Sequence, residues 1–315
     1  MDIKIHQDEK IFFISSSGHC SLDCSYCVAT PIVKHQPSLV YDDFEFLLER
    51  VDGKAFFIFS GKGDFFAGYR KNDRLLERLL EHDNLNVALD INGVMIHEFG
   101  ELSAARLEKI RHVNLSLHYS QLVANNALRA WEKNALTLLE KKDGADFFVN
   151  MVLSPRERNV WQEALSWYED KVFKHTGKKI ILICDALLAF EDEDSATVAQ
   201  LKTQFDPLIG EFRQGSFANC FKQFDYVRCP AGRDYFRVWN DGAVQGCPYI
   251  AEVADCGNLK ARKFTQRQGL IECADAKYCD CYHIASAGKM EFRSKAMWFT
   301  RLIDNIQDWR NATPN

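Results

Sequence analysis

Three cysteines near the start of the chain have types and spacing that could do chemistry. Cys20, Cys24 and Cys27 form a Cys-x3-Cys-x2-Cys triplet shortly after the apolar segment 11–14. Three thiolates spaced in this way can bind three irons of a [4Fe-4S] cluster and leave the fourth iron without a protein ligand. A small molecule can bind at that open iron. The triplet therefore predicts a cluster that takes part in a reaction.

A structural zinc site is the alternative interpretation, because closely spaced cysteines commonly bind zinc. A closed zinc site needs four ligands, usually in two separated pairs. The triplet is a single asymmetric group, and its nearest further donor, His19, adjoins the first cysteine. The spacing therefore favours the iron–sulfur interpretation.

The order of these features resembles the radical S-adenosylmethionine (radical SAM) superfamily. A predicted strand leads into the cysteine loop, and an aromatic residue, Tyr26, immediately precedes the third cysteine. The resemblance implies that S-adenosylmethionine binds the open iron and is cleaved reductively to methionine and a 5′-deoxyadenosyl radical. It also implies that Tyr26 contacts the cofactor and that an electron donor such as flavodoxin or ferredoxin reduces the cluster.

Composition sets limits on the class of protein. The 315 residues are 47% hydrophobic, with a net charge of -5 and a pI near 6.0. No run of Lys or Arg predicts a nucleic-acid partner, and no apolar segment approaches the ~20 residues that span a bilayer. The amino-terminal segment lacks a signal-peptide pattern, so a cytoplasmic location is expected. Eleven cysteines, an odd number, indicate thiols and metal ligands rather than disulfides.

Apolar segments that read as strands alternate with segments in which apolar residues recur at helical spacing. The predicted strands are 11–15, 55–60, 86–91, 112–118, 147–153 and 179–184. Six strand–helix repeats predict an α/β fold, a partial (β/α)6 barrel of parallel strands in residues 1–215. The site should lie at the carboxyl ends of the strands, which is where the cysteine loop falls.

A glycine turn follows the second predicted strand. Gly61, Gly63 and Asp64 resemble the Gly-Gly-Glu turn that binds the amino group of S-adenosylmethionine in the family, although Lys62 intrudes and Asp replaces Glu. A plain turn that closes a strand is the alternative. Asn92-Gly93, after the third strand, is similar to a Thr-Asn-Gly segment of the family and is also a common turn dipeptide.

The fourth predicted strand places Asn114, Ser116 and His118 on one face, which should be the barrel lumen. The resemblance implies that Ser116 holds the ribose of S-adenosylmethionine. His118 is a candidate catalytic base or substrate contact, and a hydrogen-bonded structural histidine is the alternative. Met151, on the fifth strand, is the candidate on the adenine side. Cys184 is interpreted as a buried thiol.

The tail of the chain, residues 216–315, is rich in cysteine. The seven cysteines of this region are Cys220, Cys229, Cys247, Cys256, Cys273, Cys279 and Cys281. Segments 235–239 and 242–244 read as a hairpin around Asn240-Asp241-Gly242. The pattern resembles the SPASM or shorter twitch domain of many radical SAM enzymes, which carries auxiliary [4Fe-4S] clusters.

One auxiliary [4Fe-4S] cluster is expected there, because the closing cysteines are fewer than in a full SPASM domain. Cys229 and Cys247 are its surest ligands, with Cys273, Cys279 and Cys281 supplying the remainder. A zinc ribbon is the alternative. An amphipathic helix is predicted for the final segment 291–309.

The sequence thus predicts a radical SAM enzyme that abstracts hydrogen from a compact substrate, a small metabolite or sugar, with the auxiliary cluster assisting oxidation or substrate positioning. The expectation of a compact substrate depends on the short segment before the first strand. A peptide or protein maturase, of the type that modifies ribosomal peptides or sulfatases, is one alternative. The other is a non-catalytic iron–sulfur carrier or binding module.

Overall fold

The computed structural model describes residues 5–15, 17–24, 26–27, 38–61, 63–96, 99–141, 147–184, 191–213, 226–247, 250–273 and 291–293. Its centre is a sheet of parallel strands that neighbour one another in chain order. These strands are β1 (Glu9–Ile14), β2 (Lys54–Phe59), β3 (Leu85–Ile91), β4 (Ile110–Ser116), β5 (Phe147–Leu153), β6 (Ile180–Cys184) and β7 (Ile209–Arg213).

Helices connect the strands, as parallel pairing requires. Those described are α1 (Tyr41–Leu48), α2 (Leu75–Leu79), α3 (Ala104–Glu108), α4 (Tyr119–Ala124), α5 (Leu128–Lys141), α6 (Trp161–Tyr168), α7 (Lys174–Thr176) and α8 (Asp192–Gln204). A π-helical turn, Glu169–Phe173, joins α6 to α7. In the described part of the chain, no helix is long and apolar enough to span a bilayer.

The predicted fold class is confirmed. All six predicted strands are present, with ends that differ by at most two residues. A further parallel strand, β7, was not predicted, because Gly210 and Glu211 interrupt its short apolar pattern. The sheet stays open, since the second edge of β1 pairs with a strand of the tail rather than with β7.

The tail continues this sheet and also forms a second one. Its strands are β8 (Tyr226–Cys229), β9 (Tyr235–Val238), β10 (Ala243–Gln245), β11 (Gly257–Asn258), β12 (Lys263–Phe264), β13 (Ile271–Cys273) and β14 (Glu291–Arg293). β9 and β10 form the predicted hairpin, and β9 pairs in parallel with β1. β13 and β14 flank β8 in the second sheet. The prediction of a helix from residue 291 is wrong at its start, because Glu291–Arg293 is a strand, and residues 294–309 lie outside the described ranges.

Buried aromatic rings join the hairpin to the parallel sheet. Phe12 of β1 stacks on Phe236 of β9, with ring centroids 5.0 Å apart, and meets Phe57 of β2 edge-on at 5.4 Å. Phe44 of α1 packs over Phe57 at 6.0 Å, so these rings lie on the helix-covered face. Residues that alternate with them, such as Phe13, face the lumen. The hairpin therefore shares the hydrophobic core of the parallel sheet.

A buried ion pair closes the end of the sheet opposite the cysteine loop. Glu9 of β1 is fully buried, and Arg111 of β4 donates to its carboxylate at 2.7 Å. Asn86 of β3 donates to the other carboxylate oxygen at 2.8 Å. Arg111 is an extra residue in its strand, because Val87 pairs with Ile110 and the next residue of β3 pairs with His112. This bulge lets Arg111 reach Glu9 and tie three strands together.

Candidate functional site

The cysteine loop lies at the carboxyl end of β1, where it was predicted. Cys24 is buried, whereas Cys20 and Cys27 are exposed, and the Cys27 N–H donates to the Cys24 carbonyl oxygen at 3.1 Å. The loop is fastened to the turn after β2, because the Asp64 N–H donates to the carbonyl oxygen of His19 at 2.7 Å. Two exposed thiols beside a buried one leave an approach for a ligand from the solvent side.

The three cysteines lie close enough that the negative charge of one thiolate disfavours ionisation of the others. Burial raises the pKa of Cys24 to about 12, and the neighbouring charges of Cys20 and Cys27 add to the increase. Cys20 is exposed as a residue, but desolvation of its thiol also raises its pKa, and the charge of Asp64 adds to the increase. Thiolates placed in this way need positive charge beside them, and cluster irons supply it because they bind the deprotonated form. The donor set therefore fits an iron–sulfur cluster.

A single metal ion and a [4Fe-4S] cluster require different arrangements of ligands. Among the residues that the structure describes, no group of three His, Cys, Asp or Glu side chains converges to hold one ion. A [4Fe-4S] cluster does not require such convergence, because each cysteine binds a different iron. The spread of the three cysteines over one loop is compatible with that arrangement.

The glycine turn after β2 packs directly against the cysteine loop. Gly63 has a φ of +82°, and a Cβ built on it would lie 2.2 Å from the carbonyl oxygen of Ser17 and 2.8 Å from that of His19. Gly61 has a φ of +95°, and its Cβ would lie 2.8 Å from the Ser15 hydroxyl. Both positions need glycine for backbone conformation and for close approach. Gly63 thus lies against the residue that precedes Cys20, and Gly61 lies beside Ser15 just after β1. Their contact with a cofactor stays a prediction.

Asp64 is engaged with backbone donors. Its Oδ1 accepts from the Ala67 N–H at 3.2 Å and its Oδ2 from the Asn92 N–H at 2.7 Å. Burial raises the pKa of Asp64 to about 6, against the opposing effect of these hydrogen bonds. Asp64 therefore joins the turn after β2 to the end of β3. Its predicted contact with an ammonium group stays a prediction. The structure shows in addition that Asp64 connects these two segments through its hydrogen bonds.

Asn92 was noted in the sequence for its resemblance to a family segment, but no contact with the cysteines was predicted for it. Its side-chain nitrogen lies 3.4 Å from Sγ of Cys20 and 3.0 Å from the Ser21 hydroxyl. The sequence signal was the Asn-Gly dipeptide, which resembles the family segment and also marks an ordinary turn. The structure shows that this turn places an amide donor against the first cysteine.

Tyr26 and His118 are brought together by the fold. The Tyr26 hydroxyl lies 2.8 Å from Nδ1 of His118, which precedes α4. Burial lowers the pKa of His118 to about 4. Burial, the charge of Cys24 and that of Glu157 raise the pKa of Tyr26. Glu157, which accepts from the Ser120 hydroxyl at 2.7 Å, is a second neighbour of the cysteines that no sequence pattern indicated.

The lumen face carries a row of polar side chains. Ser116 pairs with Asn150 across β4 and β5, and Asp90 pairs with Asn114 across β3 and β4, so all four share this face. Burial raises the pKa of Asp90, which is hydrogen-bonded to Ser60 and Asn114. Oδ1 of Asn114 and Oδ1 of Asn150 are buried and find no donor within the described ranges. Two buried acceptors beside Ser116 suit a ligand that carries hydroxyl or amino donors.

Met151 is not brought to this face. It follows Asn150 in β5, and successive side chains of a strand point to opposite faces. Met151 is buried in the hydrophobic core. This placement does not support a contact between Met151 and adenine. Cys184 is buried, as predicted.

Two glycines, Gly232 and Gly246, meet closely in the part of the tail that contains Cys229, Cys247 and Cys256. A Cβ on Gly246 would lie 2.4 Å from the backbone nitrogen of Gly232, so the segment after Cys229 touches the segment that ends at Cys247. A Cβ on Gly232 would lie 3.6 Å from Sγ of Cys256, which is buried. Cys273 ends β13 and pairs with Val227 of β8, two residues before Cys229. Cys220, Cys279 and Cys281 lie outside the described residues.

Comparisons with known proteins give little. No family model and no curated protein matches the chain. A structure of native anSMEcpe with bound AdoMet and Cp18Cys peptide is 15% identical with a TM-score of 0.49, covering 80% of this chain and 77% of that one. A crystal structure of SuiB from Streptococcus suis is 13% identical with a TM-score of 0.48, covering 89% of this chain and 68% of that one. Similarity at these values assigns neither an activity nor a substrate.

Proposed function

We propose that this chain is a radical SAM enzyme. The observation that carries the proposal is the Cys-x3-Cys-x2-Cys loop, placed at the carboxyl end of the first strand of an open parallel sheet. Ligand sites of parallel α/β sheets lie at this edge. When bound, the cluster and S-adenosylmethionine would supply an electron and a 5′-deoxyadenosyl radical.

Cys20, Cys24 and Cys27 are the proposed ligands of the first cluster. Ser116 and the unpaired side-chain oxygens of Asn114 and Asn150 would accept hydrogen bonds from the hydroxyl and amino groups of S-adenosylmethionine. Tyr26, held by His118, would flank the nucleoside. Gly61, Gly63 and Asp64 would present the turn after β2 to the methionine end of the cofactor. The roles of Tyr26 and of the turn after β2 follow from their place in or against the cysteine loop. Those of Ser116, Asn114 and Asn150 follow from the acceptors that they offer on the lumen face.

The tail is proposed to hold one auxiliary [4Fe-4S] cluster, with Cys229, Cys247, Cys273, Cys279 and Cys281 as its candidate ligands. Support comes from the contact between Gly232 and Gly246, which brings the segments after Cys229 and before Cys247 together. An external donor such as flavodoxin or ferredoxin would reduce the first cluster.

Two substrate classes follow from this proposal. A compact metabolite was the first expectation, and no contact in the described part of the chain favours it. A peptide is the alternative, and one of the similar structures named above contains AdoMet together with a peptide. The peptide is therefore the class to test first.

The cofactor assignment is tested by spectroscopy. Protein reconstituted anaerobically with iron and sulfide should give, after reduction, an electron paramagnetic resonance (EPR) signal that changes when S-adenosylmethionine is added. The change is expected because the cofactor binds the open iron. An EPR signal of the reduced cluster that does not change when S-adenosylmethionine is added would favour the iron–sulfur carrier instead.

The substrate class is tested by isotope transfer. A peptide fraction and a low-molecular-mass fraction are prepared from cells grown in deuterated medium, and each is incubated with reduced enzyme and S-adenosylmethionine. The fraction that contains the substrate should deliver deuterium to 5′-deoxyadenosine, because the radical abstracts hydrogen from it. Deuterium from the low-molecular-mass fraction alone would reject the peptide alternative.

A further inference from the structure

Asn92, at the end of β3, presents an amide donor to the first cysteine of the loop. Its Nδ2 lies 3.4 Å from Sγ of Cys20, within reach of an N–H···S hydrogen bond, and 3.0 Å from the Ser21 hydroxyl. Its Oδ1 accepts from the Val94 N–H at 3.0 Å. That bond fixes which end of the amide faces the sulfur, since only the oxygen can accept from a backbone N–H.

The backbone of Asn92 is also fixed by hydrogen bonds. The Asn92 N–H donates to Oδ2 of Asp64 at 2.7 Å, and the Asp64 N–H donates to the carbonyl oxygen of His19 at 2.7 Å. Asn92 is only 5% exposed. A chain of hydrogen bonds therefore runs from the loop residue before Cys20, through Asp64 and Asn92, back to Cys20 itself. Little conformational entropy remains to be lost when the N–H···S bond forms.

We propose that Asn92 is a positioning residue that orients Cys20 and raises the reduction potential of the first cluster, an inference that rests on the proposed function. Hydrogen bonds to cluster sulfurs are one of the factors that set the potential. A donor stabilises the reduced cluster more than the oxidised one, because reduction adds negative charge to the sulfurs. Loss of the Asn92 donor should therefore make the cluster harder to reduce.

The test compares two variants with a matched control. Asn92→Ala removes the donor, and Asn92→Asp replaces it by oxygen while keeping the shape and the acceptor for Val94. Asn134→Ala is the control, because Nδ2 of Asn134 supports the same turn through the carbonyl oxygens of Gly93 at 2.9 Å and Val94 at 3.0 Å. The potential of each reconstituted protein is measured by an EPR-monitored redox titration without S-adenosylmethionine.

At a fixed potential, the ratio of reduced to oxidised cluster should fall about three- to tenfold in Asn92→Ala, as expected for one neutral hydrogen bond. Tenfold corresponds to a shift of 59 mV for a one-electron couple. Asn92→Asp should shift in the same direction and further, because it adds negative charge. Asn134→Ala should keep the potential of the unmodified protein.

The inference is overturned by an unchanged potential in Asn92→Ala, by an equal shift in Asn134→Ala, or by failure of both Asn92 variants to assemble any cluster that can be titrated. The last result would make Asn92 a residue required for assembly rather than for tuning. If the unmodified protein itself forms no redox-active cluster, the proposed function fails first, so the two failures are distinguishable.

Discussion

The Tyr26 hydroxyl lies 2.8 Å from Nδ1 of His118, and this contact joins the cysteine loop to the carboxyl end of β4. The two rings are tilted by 31° with centroids 5.8 Å apart. Since burial raises the pKa of Tyr26 and lowers that of His118, the contact at neutral pH joins an uncharged phenol and an uncharged imidazole. The hydrogen bond therefore fixes the orientation of an aromatic ring beside Cys27.

Removal of that hydroxyl should weaken cofactor binding. Tyr26→Phe is expected to lower the affinity for S-adenosylmethionine about three- to tenfold, the effect of one lost hydrogen bond, because the ring is no longer held in place. Tyr41 is a matched control, since its hydroxyl lies 2.9 Å from Nε2 of His82 in a similar pair outside the site. Affinity is measured by equilibrium binding to reconstituted protein. Equal losses in Tyr26→Phe and Tyr41→Phe would reject the cofactor role of Tyr26.

His118 should make stability depend on pH in a defined window. Its pKa is lowered to about 4 in the folded protein, against about 6.5 in an unfolded chain. Between these values the unfolded state binds a proton that the folded state does not, so the free energy of unfolding should fall as the pH drops from 6.5 to 4.

Chemical denaturation of the unmodified protein and of His118→Gln, at several pH values, measures this contribution. The stability difference between the two proteins should change across the window, because glutamine does not titrate. A difference that stays constant with pH would show that His118 is not buried in its neutral form.

Gly63 offers a direct test of how the turn after β2 supports the cysteine loop. Gly63→Ala should displace the loop and lower the iron content, because its Cβ would lie 2.2 Å from the Ser17 carbonyl oxygen. Gly53 is the matched control. Its φ of +86° is close to the +82° of Gly63, but a Cβ there meets nothing within 4 Å.

Both substitutions add the strain of a side chain at positive φ, roughly 1–2 kcal/mol. Only Gly63→Ala adds the collision with the loop. Iron is quantified in anaerobically reconstituted protein, with circular dichroism to confirm folding. Full iron in a folded Gly63→Ala variant would show that the contact does not hold the loop.

The tail variant Cys229→Ala/Cys247→Ala should separate cleavage of S-adenosylmethionine from oxidation of the substrate. Its iron content is expected to fall from about eight to about four per chain, while 5′-deoxyadenosine formation continues and the oxidised product is lost. The variant should stay folded, because the tail hairpin is held by the pairing of β9 with β1 and by the Phe12–Phe236 stack. Zinc together with only four irons in the unmodified protein, or complete turnover by the variant, would reject an electron-acceptor role for the tail.

Local sequence patterns predicted the first six parallel strands and the tail hairpin, but not the contacts between distant segments. The strands were readable because their apolar runs are continuous, and the β9–β10 hairpin because Asn240-Asp241-Gly242 marks its turn. The pairing of β9 with β1 could not be predicted, since no local pattern indicates which edge of a sheet a hairpin joins. The residues of the cysteine loop were found from spacing alone.

The surroundings of that loop could not be predicted in the same way. Asn92 reaches Cys20 across 72 positions of the sequence, and Asp64 meets the Asn92 N–H across 28. Such bonds depend on how two strand ends lie side by side. Met151 was chosen from the correct strand, but it lies on the face opposite the lumen. A shift of one position along a strand moves a side chain to the opposite face, so a site residue must be predicted to the exact position.

The most direct measurement of the central claim is the formation of 5′-deoxyadenosine. Reconstituted protein, S-adenosylmethionine and a strong reductant are combined anaerobically, and the nucleoside is quantified by mass spectrometry. The unmodified protein should produce it, and the triple variant Cys20→Ala/Cys24→Ala/Cys27→Ala should lack about four irons and produce none, because the first cluster has lost its thiolate ligands. Formation of 5′-deoxyadenosine by the triple variant, or its absence from unmodified protein that carries a reduced cluster, would contradict the account.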